Sequence, residues 1–285
     1  MRFRFILAEK ANYPIVALCR NLDVTRGGFY AWCHHPLPKR VQRDVTALVH
    51  VRAVYKRSRR RYGSPRVYRQ LREDRVLIGR HRVARLMRLD GLRAKAKRRY
   101  RVTTHSRHDL RVAPNLVARQ FQVEGPNQVW LSDITYLATA EGWLYLSVVL
   151  DLHSRRIVGW SLDDHLEASG VCRALRQAIA TRRPPPELIV HSDRGVQYAG
   201  QDYQRLLRAH QVRCSMSRKG NCWDNAPMES FFGSLKRELD QPQPWPTMRA
   251  AEEAVAEFIR FYNHERLHSA LDYRSPVRYE MRTES

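Results

Sequence analysis

Apolar residues recur at helical spacing through the first third of the chain. In residues 13–32 (YPIVALCRNLDVTRGGFYAW), one apolar helix face ends at a polar break around 21–23, and Thr25 is placed to cap a second helix. This spacing is typical of a helix-turn-helix. The pair Gly27-Gly28 weakens a DNA-reading helix, because glycine costs about 1 kcal/mol in a helix relative to alanine. A small helical packing unit is the other interpretation.

A second helical region follows a proline-rich linker at residues 34–38. Residues 41–56 predict an amphipathic helix, and the stretch from 62 to about 92 predicts two shorter helices around a turn. The second of these, at about 80–89, interleaves an apolar stripe with Arg80, Arg82, Arg85 and Arg88. Such a face repels itself unless phosphates lie against it, so we predict that this helix binds a nucleic-acid backbone. Residues 95–112 predict a basic linker.

From about residue 127 the apolar period becomes that of strands. QVWLSDITYLAT, LYLSVVLDLHS and RRIVGWSL predict a three-stranded meander. A helix over 166–181, a short apolar strand in ELIVHSD, a helix at about 200–209, a strand in RCSMS and helices at about 226–239 and 247–263 follow. This order predicts an α/β fold of the RNase-H-like kind, with a mixed five-stranded sheet and helices on its faces, preceded by all-α segments.

The change of period divides the chain into four predicted regions. They are a helix-turn-helix-like segment at 1–38, a basic helix-turn-helix DNA-binding domain at 41–100, a basic linker at 101–122 and the α/β core with C-terminal helices at 123–285.

The charge follows the same division. Residues 1–120 carry 31 Lys+Arg and 7 Asp+Glu, a difference of +24, whereas residues 121–285 carry 20 and 21, a difference of −1. A basic block of this size indicates a polyanionic partner. It does not separate DNA from RNA, and a basic scaffold such as a ribosomal protein is the alternative.

Composition excludes several other classes. Hydrophobic residues make up 43% of the chain and charged residues 28%, values ordinary for a soluble globular protein. No run approaches the ~18 apolar residues of a membrane span, and the first residues lack a secretory apolar region. We therefore expect a cytoplasmic protein without membrane contact. Five scattered cysteines without a CxxC pair argue against disulfides and against a structural zinc site.

Three carboxylates stand where the predicted fold would bring them together. Asp133 lies within the first strand, where a charge is costly to bury unpaired. Asp193 ends the fourth strand, and ligands collect at the carboxyl ends of strands in open α/β sheets. Glu229 lies in the first turns of the helix that begins near residue 226. Each acid alone is better explained as a cap or an ion pair, so the candidate site depends on all three.

Converging carboxylates repel one another unless a divalent cation neutralises them. Oxygen ligands with open positions suit magnesium, and two such ions can activate a hydroxyl and stabilise the leaving oxygen of a phosphodiester.

At these residues the chain resembles a known family. The stretches WLSDITYL, HSDRGVQYAG, SMSRKGNCWDNAPMESFFGSLKRE and YNHERLHSALDYRSPVRYE are similar to the OrfB-type transposases of the two-reading-frame (IS three) insertion-sequence family, whose core is similar to retroviral integrase. Asp193 and Glu229 are separated by 35 residues (229 − 193 − 1), which is the D,D-35-E spacing of that family. YGSPRVYRQL and RVARLMRLDGLRAKAKRRY also match, so the resemblance covers about 60–280.

The resemblance implies roles for particular residues. Asp133, Asp193 and Glu229 would be catalytic and would hold two Mg²⁺ ions, with Mn²⁺ as a substitute. Lys236 would lie against the terminal DNA, although an ordinary exposed lysine is the alternative, and Gln197 and Tyr198 would contact DNA. Other matching residues would support the site or cap helices: His191, Asn225 and Ser230. For Cys222 and Trp223 core packing is the simpler explanation, and for His264, Arg266 and His268 we favour a structural and DNA-facing role.

The resemblance also implies an activity and partners. The enzyme would be a DNA transposase that releases 3′-hydroxyl ends by hydrolysis at the element termini and joins them to a target duplex. It would act as a homo-oligomer on DNA at the nucleoid, fused to or working with an upstream-frame OrfA protein, because no leucine-zipper heptads precede residue 60. Two alternatives stay open: a catalytically inactive DNA-binding regulator derived from a transposase, and an RNase-H-like nuclease acting on RNA hybrids.

Overall fold

The computed structural model describes residues 1–34, 38–94, 112–218, 222–239 and 244–283. Almost all of the predicted basic linker at 95–112 lies outside these residues, as do the side chains of Cys222 and Trp223. Within the described part, the chain before residue 95 is helical. Its helices are α1 (Arg2–Glu9), α2 (Ile15–Asn21), α3 (Arg26–His34), α4 (Lys39–Arg57), α5 (Ser64–Glu73) and α6 (Arg80–Leu89).

The first three helices form a small unit with its own core. Ile6, Leu18, Cys19 and Phe29 are buried together at its centre. The predicted cap of the third helix is confirmed, because the Thr25 hydroxyl accepts a hydrogen bond from the Gly28 amide at 3.1 Å.

Helices α4 to α6 form a second helical unit, which packs on the C-terminal part of the chain. Its buried residues include Val51, Val67 and Leu86, and the same core contains Phe261 and Leu267. A continuous apolar contact thus joins the unit to the rest of the molecule, in addition to the connection along the chain.

The second half of the chain folds around one mixed sheet. Its strands are β1 (Val129–Thr139), β2 (Gly142–Asp151), β3 (Ile157–Asp163), β4 (Ile189–Ser192) and β5 (Arg213–Met216). The spatial order is β3-β2-β1-β4-β5, with the β1–β2 and β2–β3 pairs antiparallel and the β1–β4 and β4–β5 pairs parallel. The predicted five-stranded mixed sheet is confirmed.

Helices cover both faces of the sheet. The remaining helices are α7 (Ala168–Arg182), α8 (Val196–Ala199), α9 (Gln201–Ala209), α10 (Ala226–Glu238), α11 (Met248–His264) and α12 (Pro276–Thr283), with short 3₁₀ turns at Cys222–Asn225 and Ser269–Leu271. Leu131 packs in a core with α10 and α11, whereas its neighbour Trp130 packs in the core beside α7 and α9. Strand β1 is therefore buried on both faces, which explains its long apolar run.

None of the helices in the described residues is both long and apolar enough to cross a membrane.

Candidate active site

Asp133 lies in the middle of the central strand β1, as predicted. Its Oδ1 accepts a hydrogen bond from the Ile134 amide at 2.8 Å, and its Oδ2 accepts one from Asn225 Nδ2 at 3.2 Å. Strand β1 pairs with β4 only through Val129, Trp130 and Leu131. Asp133 therefore lies two residues beyond the last β1–β4 pair.

Asp193 follows the last residue of β4 directly. Its Oδ1 accepts a hydrogen bond from the Gly195 amide at 2.9 Å, which holds the carboxylate in a tight turn. A side chain at position 195 would place its Cβ 3.0 Å from that oxygen and 3.1 Å from Gln197 Oε1. Any other residue at position 195 would therefore have to displace the Asp193 carboxylate or the Gln197 amide by a few tenths of an ångström.

Glu229 lies in the first turn of α10, exposed at the helix surface. The 3₁₀ turn before this helix is anchored by Asp224, whose side chain is fully buried. Its carboxylate binds Arg218 through Nη2 at 2.8 Å and Arg119 through Nε at 3.1 Å, and Asn115 donates a further hydrogen bond at 2.9 Å. Hydrogen bonds from Arg218 hold the pKa of Asp224 well below its usual range.

The three acids interact electrostatically. The pKa of Asp133 is raised well above its usual value, first by burial, then by the negative charge of Asp193, with a smaller contribution from Glu229. Although Glu229 as a whole is exposed, partial burial of its carboxyl group also raises its pKa. The three carboxylates come from segments distant in sequence: β1, the turn after β4 and α10.

Lys236 is a cationic side chain close to Asp133. It lies half-buried two helical turns beyond Glu229 on α10, with its Nζ 4.7 Å from the centre of the Tyr136 ring. Burial lowers its pKa, and the charge of Asp133 opposes that shift. No sequence pattern pointed to Tyr136, which is partly exposed beside Trp143 with ring centres 5.1 Å apart.

The carboxylates do not form a ready-made metal cage. Among the residues that the structure describes, no group of three His, Cys, Asp or Glu side chains is arranged to hold a metal ion. The donor chemistry is nevertheless that of a hard-cation site, because all three side chains offer carboxylate oxygens and the cluster raises the pKa of its own buried member.

Comparison with known proteins identifies the family. The integrase core domain family matches residues 123–222 and, in a second form, 210–276, and an HTH-like domain family matches 42–100. The transposase InsF of insertion sequence IS3A from Escherichia coli K12 is 42% identical over 283 residues, 98% of each chain. The chain belongs to the IS3 family of insertion-sequence transposases.

A second insertion-element protein agrees with this assignment. The 31 kDa protein of insertion element IS600 from Shigella sonnei is 41% identical over 92% of this transposase and 97% of the relative. Among solved structures, a simian T-cell lymphotropic virus intasome aligns with a TM-score of 0.48 and 20% identity, over 62% of this chain and 60% of the viral one. The HTLV-2 integrase catalytic core in complex with magnesium aligns with a TM-score of 0.44 and 17% identity, over 55% and 97%.

The transposase places two predicted DNA contacts differently. The prediction for Tyr198 is corrected, because its side chain is 1% exposed and packs in the core against Tyr203, with its hydroxyl 3.3 Å from Ser132 Oγ. Gln197 is half-buried, and its Nε2 lies 3.5 Å from the Leu166 carbonyl. Of this pair only Gln197 keeps a surface that DNA can reach.

The arginines of α6 fall into two pairs. Arg82 and Arg85 both bind the carboxylate of Asp44 on α4, at 2.7 and 2.6 Å, whereas Arg80 and Arg88 are exposed. Asp44 thus supplies protein charge to two arginines for which the sequence pattern predicted only phosphate partners.

Several supporting residues lie in the interior. His191 is fully buried between Ser215 and Ser217, with ring nitrogens 2.8 and 3.1 Å from their hydroxyls. Arg266 and His268 are also buried, so the prediction that they face DNA is wrong, and their structural role is the one that remains. His264 and Ser230 are exposed.

Asn225 is 6% exposed beside Asp133, and its Oδ1 has no hydrogen-bond partner among the described residues. The amide therefore orients Asp133 and leaves one buried acceptor next to the carboxylate.

Proposed function

We propose that Asp133, Asp193 and Glu229 are the catalytic residues of this transposase and that they cut and join DNA. The observation that supports this most is the electrostatic coupling of Asp133 to both other acids, although the three come from separate elements. Carboxylates that raise the pKa of one another are destabilising until a proton or a cation neutralises them, and such clusters occur at reactive sites.

The same carboxylates would hold the metal ions. Their oxygens suit Mg²⁺ or Mn²⁺, and we propose that Asp133, Asp193 and Glu229 together would hold two such ions. Bound divalent ions would supply Lewis acidity to the attacking and leaving oxygens of a phosphodiester. Because no metal-holding group is assembled among the described side chains, we expect DNA and metal to draw Glu229 toward the aspartates.

The remaining side chains would orient the DNA. Lys236, on the helix that carries Glu229 and close enough to Asp133 to affect its pKa, would bind a phosphate beside the scissile bond. Asn225 would orient the Asp133 carboxylate. Water would attack first and release a 3′-hydroxyl at the element end. That hydroxyl would then attack a target phosphodiester, forming the new bond as a target 3′-oxygen leaves.

The helical half would hold the DNA and recruit partners. Arg80 and Arg88 on α6 would bind phosphates, and Gln197 would contact DNA near the site. Joining two element ends requires more than one active site, so we propose a homo-oligomer assembled on DNA at the nucleoid. An OrfA protein from the upstream reading frame would complete recognition of the terminal repeats.

A plasmid carrying the parent element's two ends tests this assignment. The chain is supplied with and without its upstream-frame partner, and end cleavage and joining are scored in Mg²⁺. We expect products from the wild type and none from Asp133→Asn or Asp193→Asn, at equal DNA binding. Asp202→Asn is the matched control, because Asp202 is an exposed aspartate on α9 with a 74% exposed side chain.

A second measurement tests metal binding independently of catalytic activity. Mg²⁺ or Mn²⁺ stabilises a protein that binds it in the folded state only, so the unfolding temperature of the wild type and of Asp202→Asn should rise with metal concentration. Asp193→Asn should lose most of that rise. Products that persist in Asp193→Asn would contradict the three-carboxylate assignment. DNA binding without products from any form, partner included, would favour an inactive regulator.

A further inference from the structure

The helix that carries Glu229 is held at its far end by the helical unit α4–α6. Arg61, in the turn between α4 and α5, donates from Nε to the backbone carbonyl of Glu238 at 3.2 Å. Glu238 is the last residue of α10, so Arg61 satisfies a carbonyl that the helix itself leaves unpaired and places a positive charge at its negative end. The Arg61 guanidinium is buried, 4.6 Å from the centre of the Phe261 ring.

Two neighbouring residues extend this contact. Arg66 on α5 donates from Nε to the Leu267 carbonyl at 2.8 Å, and its Nη1 lies 4.0 Å from Glu238 Oε1. The Tyr62 hydroxyl accepts from the Leu267 amide at 2.9 Å and donates to the Glu265 carbonyl at 3.0 Å. Each of these bonds joins the helical unit to the catalytic half.

Glu238, the acceptor at the centre of these contacts, carries a buried negative charge. Glu238 is 4% exposed and receives two hydrogen bonds from Arg266, at 2.9 and 2.7 Å. Burial alone would raise the pKa of Glu238, but the hydrogen bonds and charge of Arg266, with the charge of Arg66, bring it below its usual value. A buried charge pair of this kind tolerates little misalignment, since moving one partner leaves the other unpaired in the interior.

The opposite end of α10 is also tied to the chain before the core. Asn115 and Arg119, in the segment that leads into β1, bind the Asp224 carboxylate in the 3₁₀ turn that precedes the helix. Both ends of α10 are therefore fixed by residues outside the sheet. Small polar interfaces usually let domains move, whereas this one is continuous with an apolar core that includes Phe261 and Leu267.

We propose that Arg61, Tyr62 and Arg66 are positioning residues that act through Glu238 to set the distance between the DNA held by α4–α6 and the carboxylate site. This distance would determine which phosphodiester is cut. Glu229 and Glu238 are nine residues apart (238 − 229), or about 14 Å along the helix at ~1.5 Å per residue. Over this length a tilt of about 14° would displace the far end by ~3.4 Å, the rise of one base pair, and so shift the cut by one nucleotide. The proposal rests on the proposed function, because it assumes that Glu229 belongs to the active site.

The position of the nick is the decisive measurement. An end-labelled duplex carrying one element end is incubated with Mg²⁺ and the complete protein, and the cut is mapped to the nucleotide. We expect wild type to cut at one phosphodiester. Arg66→Met and Tyr62→Phe should bind the DNA as tightly but spread their cuts over neighbouring phosphodiesters, and Arg66→Lys should show a narrower spread than Arg66→Met because it keeps the charge beside Glu238.

Loss of stability alone would lower the yield without moving the cut. Arg182→Met is the matched control, because it breaks a similarly buried bidentate pair with Glu280, at 2.9 and 3.0 Å, without touching α10 or the helical unit. We expect fewer products from this variant, all at the wild-type position. If Arg66→Met does not fold, Tyr62→Phe carries the test, since it removes one hydroxyl and keeps the ring.

The possible failures are distinguishable. Cuts confined to the wild-type phosphodiester in folded Arg66→Met or Tyr62→Phe would overturn the positioning role and leave the active site standing. Cuts by wild type that persist in Asp193→Asn, or no cuts by wild type with its partner present, would overturn the proposed function and the positioning role with it.

Discussion

His268 is buried among positive charges, so the unfolding free energy of the protein should depend on pH through this residue. Its Nε2 lies 3.3 Å from Arg266 Nη1, and its ring packs edge-on against Tyr262 with centres 4.5 Å apart. Burial, with the charges of Arg266, Arg66 and Arg155, lowers the pKa of His268 to about 2. The imidazole therefore stays neutral in the folded protein and acts as an acceptor for Arg266.

This shift predicts a loss of stability in mild acid. The unfolded chain binds a proton at His268 below about pH 6.5 and the folded chain does not, so the contribution is complete above pH 6.5 and decreases as the pH falls toward 2. Between pH 7 and 5.5 the wild type should lose about 1.3 kcal/mol of unfolding free energy through this residue. Urea unfolding at the two pH values measures the loss.

The comparison needs a variant that keeps the acceptor. His268→Gln presents an amide oxygen and does not titrate, so its stability should fall less over the same interval, by about the same 1.3 kcal/mol. His191, whose pKa burial lowers to about 4, is present in both proteins and cancels from the difference. Parallel pH dependences in the two proteins would mean that the folded protein accommodates the proton at His268.

Residue roles were predictable where they depend on spacing along the chain and not where they depend on packing. The family resemblance and the strand pattern together chose Asp133, Asp193 and Glu229. In the structure the charges of the other two acids raise the pKa of Asp133, and the catalytic role of the three stays a prediction. Tyr198 lies in the same matched motif, yet its ring fills the core beneath the site. A sequence motif alone does not distinguish a side chain that faces the ligand from one that packs in the core beneath the loop.

At the scale of elements, α3 contains two adjacent glycines with opposite surroundings. A Cβ at position 27 would meet nothing within 4 Å, whereas one at position 28 would lie 2.9 Å from Thr25 Oγ1, the hydroxyl that caps the helix. Gly27 thus only weakens the helix, whereas Gly28 leaves room for the Thr25 hydroxyl that caps it.

These surroundings predict different effects of the same substitution. Gly27→Ala should stabilise the N-terminal unit by up to about 1 kcal/mol through helix propensity. Gly28→Ala gains the same propensity but displaces the Thr25 hydroxyl, and loss of such a cap costs about 1 kcal/mol, so its net effect should be near zero or unfavourable. Thermal unfolding followed by helical circular dichroism compares them, and equal stabilisation by both would show that the cap contributes little.

The junction between β3 and α7 is tighter still. A Cβ on Gly159 would lie 2.2 Å from the Ala174 carbonyl oxygen and 2.8 Å from the Ala178 Cβ. Since backbone cannot rotate away as a flexible side chain does, Gly159→Ala should push the helix off the sheet and cost at least about 1–3 kcal/mol of unfolding free energy.

Gly233→Ala on α10 is the matched control for this substitution, because its Cβ would meet nothing within 4 Å. Denaturant unfolding midpoints separate the two variants. A Gly159→Ala protein as stable as Gly233→Ala would mean that α7 is free to shift on the sheet.

For the molecule as a whole, the sequence predicted the architecture better than the contact between its halves. The strand and helix periods gave the mixed sheet in the right order, because each element carries its own apolar pattern. The docking of α4–α6 on the end of α10 depends on Arg61 and Arg66, which in sequence are two of many arginines in a basic stretch. Net charge alone assigns all of these arginines to nucleic-acid binding. Only the fold shows which of them bind groups of the protein instead.

That separation has a measurable consequence for DNA binding. Arg80 and Arg88 are exposed on α6, whereas Arg82 and Arg85 share the carboxylate of Asp44. Each phosphate contact lowers the slope of log K against log salt concentration by about 0.9. The double substitution Arg80→Gln with Arg88→Gln should therefore make the salt dependence shallower by about 2 if both bind phosphates.

The matched pair on the same helix provides the control. Arg82→Gln with Arg85→Gln removes the same formal charge but leaves Asp44 without its partners on α6, so we expect a clear loss of thermal stability and a change in slope well below 2. Fluorescence anisotropy with a labelled duplex over a range of salt concentrations gives both slopes. Equal changes in the two double variants would mean that all four arginines reach the DNA and that the Asp44 ion pairs open on binding. If both double variants keep the steep salt dependence of the wild type, the phosphate contacts lie in another part of the basic first 120 residues.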